Sequence, residues 1–149
     1  MKSLKFNEGL ESFMVNDDPG RVIYFNPADP EIINRLLNMQ KSFQDYKPEV
    51  DIELNPDGSA KGEIEKEAAY IAEFTKAMRK AINDVFNADM FDTIFNGQSP
   101  LCIVGPRGKE KYLFEEVIDA LIGIINPAIE AYNRKSEKKT NKYLQDIKK

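Results

Sequence analysis

DVFNADMFDTIFNGQSP, residues 84–100, sets Phe86, Met90, Phe91, Ile94 and Phe95 among short polar side chains, in a chain that has no Trp and no His. Asn87-Ala88-Asp89 interrupts the helical pattern that precedes it. MFDTIF then supplies one or two helical turns that stop at Asn96-Gly97, because glycine is the usual residue just past a helix C-terminus, where the backbone enters the left-handed region. The aromatics lock this short helix onto longer ones. The flanking sequence has to supply those helices.

Upstream, Ile64, Ala68, Ile71, Thr75, Met78, Ile82 and Val85 recur at alternating spacings of four and three. This is a heptad seam, widened by Tyr70, Phe74 and Ala81, and it predicts a helix over 63–87. That face must pack on another helix, in the same chain or in another copy; the spacing does not distinguish the two. Further upstream, LKF, SFMV and RVIYF alternate between NEG and NDDPG turns, which predicts a β-hairpin or small meander over 1–27. In FNPADPEIINRLL, Asp29 is an N-cap and Pro30 fits the first helical position, where its missing N–H is not needed. Ile32, Ile33, Leu36, Leu37, Phe43 and Tyr46 give that helix a one-sided stripe over 28–46. Lys47-Pro48 ends it. Residues 47–62 read as a loop, with room for a short strand at VDIEL.

Downstream, LCIV between Ser99-Pro100 and the Gly105-Pro106-Arg107-Gly108 turn reads as a short strand. A final helix is expected from about 110. Leu113, Phe114, Val117, Ile118, Leu121, Ile122, Ile125, Ile129 and Tyr132 form a face too broad for a surface helix, so it should be central. Pro127 should kink or split it. The fold class is α+β, predominantly α-helical: an N-terminal hairpin or meander followed by a small helical bundle with a kinked C-terminal helix. Residues 1–133 form one domain, and 134–149 a basic tail that is helical or partly disordered.

At 149 residues the chain can bury roughly two thirds of its unfolded surface in one domain. Its 42% hydrophobic and 31% charged content is that of a globular protein. The lone Cys102 cannot form an internal disulfide, and MKSLKFNEGL has no apolar signal region, so a cytosolic location is expected. VIDALIGIINPAI, the most apolar run, holds Asp119 and is too short to span a bilayer. The net charge of −4 is unevenly distributed: residues 134–149 carry +5 and the rest −9. Such a tail is either a solvated helix end or a contact for nucleic acid or an acidic partner.

The composition also restricts the chemistry. Without His, the commonest general base and transition-metal ligand are missing, and Ser-His or Cys-His nucleophiles are excluded. ELNPDGSAKGEI, residues 53–64, places Glu53, Asn55 and Asp57 as a calcium loop would, but Lys61 and Ile64 fall where the ninth ligand and the bidentate Glu belong. It reads as a polar turn. GPRG lacks the Gly-Lys-Ser/Thr ending of a P-loop. Glu115 and Asp119, one turn apart, read as a solubilising surface pair. No catalytic residue, metal site or cofactor is assigned, and no enzyme is expected.

Three segments carry a family resemblance: IYFNPADPEIINRLL; AINDVFNADMFDTIFNGQSP; and INPAIEAYNRKSEKKTNKY. Together, over residues 22 to about 143, they resemble short acidic proteins of tailed phages and prophages of Gram-positive bacteria, related in character to siphophage tail assembly chaperones. In one respect the chain departs from that pattern: Asn87-Ala88-Asp89 stands where relatives tend to have a Gly-rich turn.

The resemblance implies a non-enzymatic, cytoplasmic protein of the bacterial host that binds the tape measure protein or tail tube subunits and is absent from the mature virion. Homo-oligomer formation is left open, and no membrane partner is expected. Candidate partner-binding residues are then Phe91, Phe95, Phe86, Met78, Ile71 and Phe74 on the aromatic cluster and seam, and Lys138, Lys139 and Lys142 on the tail. The functional form of the aromatic cluster has Phe91 and Phe95 partly exposed to a client. The alternatives are a structural component of the tail or head-tail junction and, more remotely, a small nucleic-acid-binding regulator.

Overall fold

Asn16 and Asp17 take φ of 53° and 59°, the paired left-handed conformation of a two-residue hairpin turn whose twist matches its strands. They join β1 (Glu11–Val15) to β2 (Asp18–Phe25) in an antiparallel pair. The computed structural model describes residues 1–44, 56–57 and 62–148. The register shifts between Met14, opposite Val22, and Val15, opposite Asp18. Pro19, without an N–H, falls in the resulting bulge, where no ladder bond is lost. Phe13 and Phe25 stack at 4.9 Å on the inner face, beside Ile23. The hairpin expected from the sequence is therefore present, but LKF adds no third strand, and residues 1–10 are exposed without regular structure.

Helix α1 (Pro30–Gln44) begins where its signals placed it. Asp29 Oδ1 accepts the Glu31 N–H at 3.0 Å and its carbonyl accepts the Ile32 N–H. Ile32, Leu36 and Met39 are buried and Phe43 is half-buried, whereas Leu37, counted in the apolar stripe, faces water. Tyr46 and the strand suggested at VDIEL lie outside the described residues.

Helix α2 (Glu63–Phe86) carries the seam, but only its C-terminal half is enclosed. Met78, Ile82 and Val85 are fully buried, and Phe74 and Phe86 nearly so, while Ile64, Tyr70 and Ile71 stand in solvent. Within the one chain, then, the seam packs on other elements only from Phe74 onward, and of the two partners left open by the spacing the same chain supplies one for the C-terminal half alone. Phe74 meets Phe43 near the end of α1 and Phe114 near the start of the last helix, and no residue of α2 before Phe74 joins the core.

Asn87 turns left-handed to end α2, and α3 (Phe91–Phe95) follows. Its left-handed exit begins one residue earlier than the sequence suggested, on Asn96, with Gly97 continuing it. Phe91, Ile94 and Phe95 are buried. Then β3 (Ile103–Val104) pairs antiparallel with β4 (Lys111–Tyr112) across the GPRG turn, so the strand is shorter than LCIV. That ladder also delays the final helix from about 110 to Leu113.

Helix α4 (Leu113–Lys148) is tied at its start: the Leu113 and Phe114 N–H groups donate to the carbonyls of Cys102 and Pro100, at 2.7 and 3.0 Å. These are first-turn donors with no partner inside the helix. Leu121 and Ile125 are buried and the remaining apolar positions are half-buried or exposed, so α4 is less enclosed than its broad face implied. The helix runs past Pro127 without splitting and continues through the basic segment. No helix among the described residues is long and apolar enough to cross a membrane.

The division of α2 is testable by urea unfolding. Phe95→Ala should cost about 3–5 kcal/mol, the range for emptying an aromatic core position, whereas Ile71→Ala should stay within about 0.5 kcal/mol. Equal losses would mean that the seam is enclosed along its whole length.

Candidate partner-binding surfaces

Asn83, in the last full turn of α2, organises the region around the aromatic cluster. Its backbone carbonyl accepts the Ala88 N–H at 3.1 Å, and its side-chain Oδ1 accepts the Met90 and Phe91 N–H groups at 2.8 and 2.9 Å. One side chain thus supplies partners for two donors at the start of α3 that no helical carbonyl can reach. The opposite end of α3 is held by Arg21 of β2, whose guanidinium donates to the Thr93 and Ile94 carbonyls at 3.1 and 2.7 Å. Arg35 of α1 donates to Val85 O in the last turn of α2 at 2.8 Å and pairs with Asp29 at 3.2 Å. Both arginines therefore place a cation at the negative end of a helix. Arg79 lies 4.4 Å above the Phe91 ring and bonds Asp92 at 2.7 Å.

This framework decides the fate of the expected binding residues. Phe91, Phe95, Phe86, Met78 and Phe74 are between 0 and 9% exposed, so none of them is available to a partner in this conformation. The expectation of a partly exposed Phe91-Phe95 surface is corrected: the two rings stack on each other at 4.6 Å inside the core, drawn in by the bonds at both ends of α3. Ile71, 43% exposed, is accessible, and Ile64 at 84%, Tyr70 at 42% and Ala68 lie near it on the unenclosed part of α2. Lys138, Lys139 and Lys142 are exposed on α4.

Two concavities adjoin the core. One, of about 360 Å³, lies between α1 and α2 under Arg35, Met39, Lys80 and Asp84, the last two paired at 2.7 Å. The other, of about 590 Å³, lies between the hairpin, α3 and α4 and is mostly apolar, walled by side chains such as Phe13, Ile23, Phe95, Val117 and Leu121. Neither is signalled directly by a local sequence pattern. Nor are Arg21 and Arg35, which act on backbone atoms 50 or more residues away, or Asn83, which acts on the turn that follows its own helix.

The described residues contain no cluster of three or more Cys, Asp or Glu able to hold a metal. Most of the calcium-like loop lies outside them. Glu115 and Asp119 are both exposed, as the reading of a surface pair has it, and Asp119 also bonds Lys111 Nζ at 2.8 Å, with Glu116 3.4 Å from the same ammonium. Set against protein-family models, curated proteins and solved structures, the chain matches none.

The electrostatics at the start of α4 are local. The hydrogen bond to Asp119, aided by Glu116, raises the Lys111 ammonium above its ordinary range. Backbone N–H groups, that of Gly108 first, lower the Glu110 carboxyl below its own. Because the folded chain holds the Lys111 proton more tightly, that contribution is complete below the ordinary lysine range and is lost as pH rises through the raised value. For Glu110 the contribution is present above the ordinary glutamate range and is lost as pH falls through the lowered value.

NMR titration should show both displacements, and Asp119→Asn should return the Lys111 midpoint toward normal. An unchanged midpoint would remove the pairing from the account. For the turn itself, Asn83→Ala leaves two N–H groups without their acceptor and should cost about 1–3 kcal/mol in urea unfolding. A loss near zero would show that water replaces the amide there.

Proposed function

We propose that this protein is a non-enzymatic tail assembly chaperone of a phage or prophage, holding a helical segment of the tape measure protein, with tail tube subunits as the second candidate client. The observation that carries the reading is the unenclosed half of the α2 seam. Ile64, Ala68 and Ile71 continue the heptad positions that Met78, Ile82 and Val85 occupy in the core, and they remain in solvent with Tyr70 beside them. An amphipathic client helix laid on this face would extend an arrangement the chain already uses.

Glu63, Glu65, Glu67 and Glu73 surround that face against Lys66, so a client helix with basic flanks is favoured over an acidic one. The exposed Lys138, Lys139 and Lys142 offer the opposite preference on α4. Opposed charges of this kind keep unoccupied copies soluble and orient a client as it docks. The family resemblance over 22–143 supplies the identity of the client, and the absence of His is consistent with a binding role. In this reading the protein works in the host cytoplasm and leaves before the particle matures.

The test is affinity capture of tagged protein from cells producing the phage, read by mass spectrometry for the tape measure and tail tube proteins. Wild type should recover one of them. The paired change Ile64→Glu, Ile71→Glu should lose it while the circular dichroism spectrum stays unchanged, since both residues are exposed. Recovery of nucleic acid alone, or finding the protein in purified virions, would overturn the proposal; the second result would favour a structural tail component.

A further inference from the structure

The segment before the hairpin is anomalous. Residues 1–10 are exposed throughout, with Leu4 at 86%, Phe6 at 67% and Leu10 at 55%. Leu4 and Phe6 alternate with Lys5 in the period of a β-strand with one apolar face. A strand-forming segment with an apolar face left in water is short of a partner.

The same molecule offers a place for such a segment. β1 pairs only with β2 in a two-stranded sheet, so its other edge is open among the described residues. An open edge is a template for a further strand. The cleft of about 590 Å³ is lined by Phe13 and Val15 from the inner face of β1 and by its neighbour Met14, so β1 forms part of its wall. Its volume falls within the range of pockets that enclose apolar groups. Glu116, which also lies 3.4 Å from Lys111, lines the same cleft together with Arg21, and Glu11 opens β1, while the segment carries Lys2 and Lys5 against Glu8.

The direction of the chain favours a second copy as the donor. The Gly9 N–H donates to Asn7 Oδ1 at 2.9 Å, and Gly9 holds φ of 69° against the Asn26 side chain. This places the segment's departure at the Phe25 end of the hairpin, where Glu11 faces Phe25. The cleft lies toward the opposite end, beside Asn16 and Arg21. A chain filling its own cleft would have to reverse at Gly9 and give up that turn. A neighbouring chain would not.

We propose that residues 2–8 of one copy add as a strand to the open edge of β1 in a second copy, seating Leu4 and Phe6 in the apolar cleft between the hairpin and α4. Lys2, on the same strand face as Leu4 and Phe6, then approaches the Glu116 side of the cleft. The exchange is reciprocal and gives a two-fold dimer. It is independent of the client and of the α2 seam.

The experiment uses the full chain on a Cys102→Ser background. A copy with one tag carries Phe6→Cys, a copy with a different tag carries Val117→Cys, and the mixture is oxidised. A disulfide joining the two tags is expected. Light scattering of the wild type should give twice 17.0 kDa. Leu4→Asp with Phe6→Asp, both exposed and so harmless to folding, should weaken the dimer by about a hundredfold or more.

A monomer at every concentration would overturn the proposal. So would the absence of a disulfide in the two-tag mixture while a third variant, with Phe6→Cys and Val117→Cys in one chain, closes a disulfide within itself, because the segment would then be closing on its own cleft. A dimer dissolved by Ile64→Glu, Ile71→Glu and untouched by the Leu4 and Phe6 changes would overturn it by assigning association to the seam, with the client proposal judged separately by capture.

Discussion

The two hydrogen bonds that the Asn83 side chain accepts from Met90 and Phe91 are the constraint on which the rest of the structure depends. A helix of five residues cannot hold itself in water, because nucleation costs more than so few internal bonds return. The start of α3 therefore has to be built from outside, and α2 does so with a side chain from its own last turn. Once α3 is fixed, Phe91 and Phe95 point inward together. Phe86 then meets Phe25 of the hairpin at 5.1 Å, so strands and helices share one core.

The two arginines complete this from other elements. Arg21 reaches from the hairpin to the end of α3, and Arg35 from α1 to the end of α2. Both bonds are to carbonyls, which lack helical partners at these ends, and both side chains are only partly exposed, so the attraction is less screened than in a surface pair. By contrast Arg79-Asp92 and Lys80-Asp84 lie in open solvent and add little beyond orientation. The hairpin and α1 are thus joined to the α2-α3 corner by polar bonds to its backbone as well as by apolar packing.

Local signals in the sequence carried far. Asp29-Pro30 placed the start of α1, the NDDPG turn placed the hairpin, and the four-three spacing placed α2, because caps, turns and periodicity are encoded by neighbours. What failed was set by tertiary reach. The spacing of Ile64 and Ile71 is as regular as that of Met78 and Ile82, and nothing in it records that core packing on α2 stops at Phe74. LKF has the alternation of a strand but no strand beside it. The aromatic cluster reads first as core and only second as a binding surface, and what holds it inside includes long-range bonds from Arg21 that no local pattern announces. The exposed surface of α2 was therefore legible as a helix face, but not as the accessible one.

The first turns of α2 have a thermodynamic consequence. Gly62 caps this end in a left-handed conformation without any side-chain acceptor, and the eleven residues from Glu63 to Glu73 lie outside the core. A segment of that length is marginal as an isolated helix. Its order therefore depends on its continuity with the enclosed half of α2. Whatever settles on this face must complete the ordering as well as make contact, and that cost is subtracted from its affinity. In the proposed function, occupancy and helicity at this end are one equilibrium: a docked client helix would stiffen these turns, its release would soften them, and the conformational entropy regained by the empty protein would keep the association reversible.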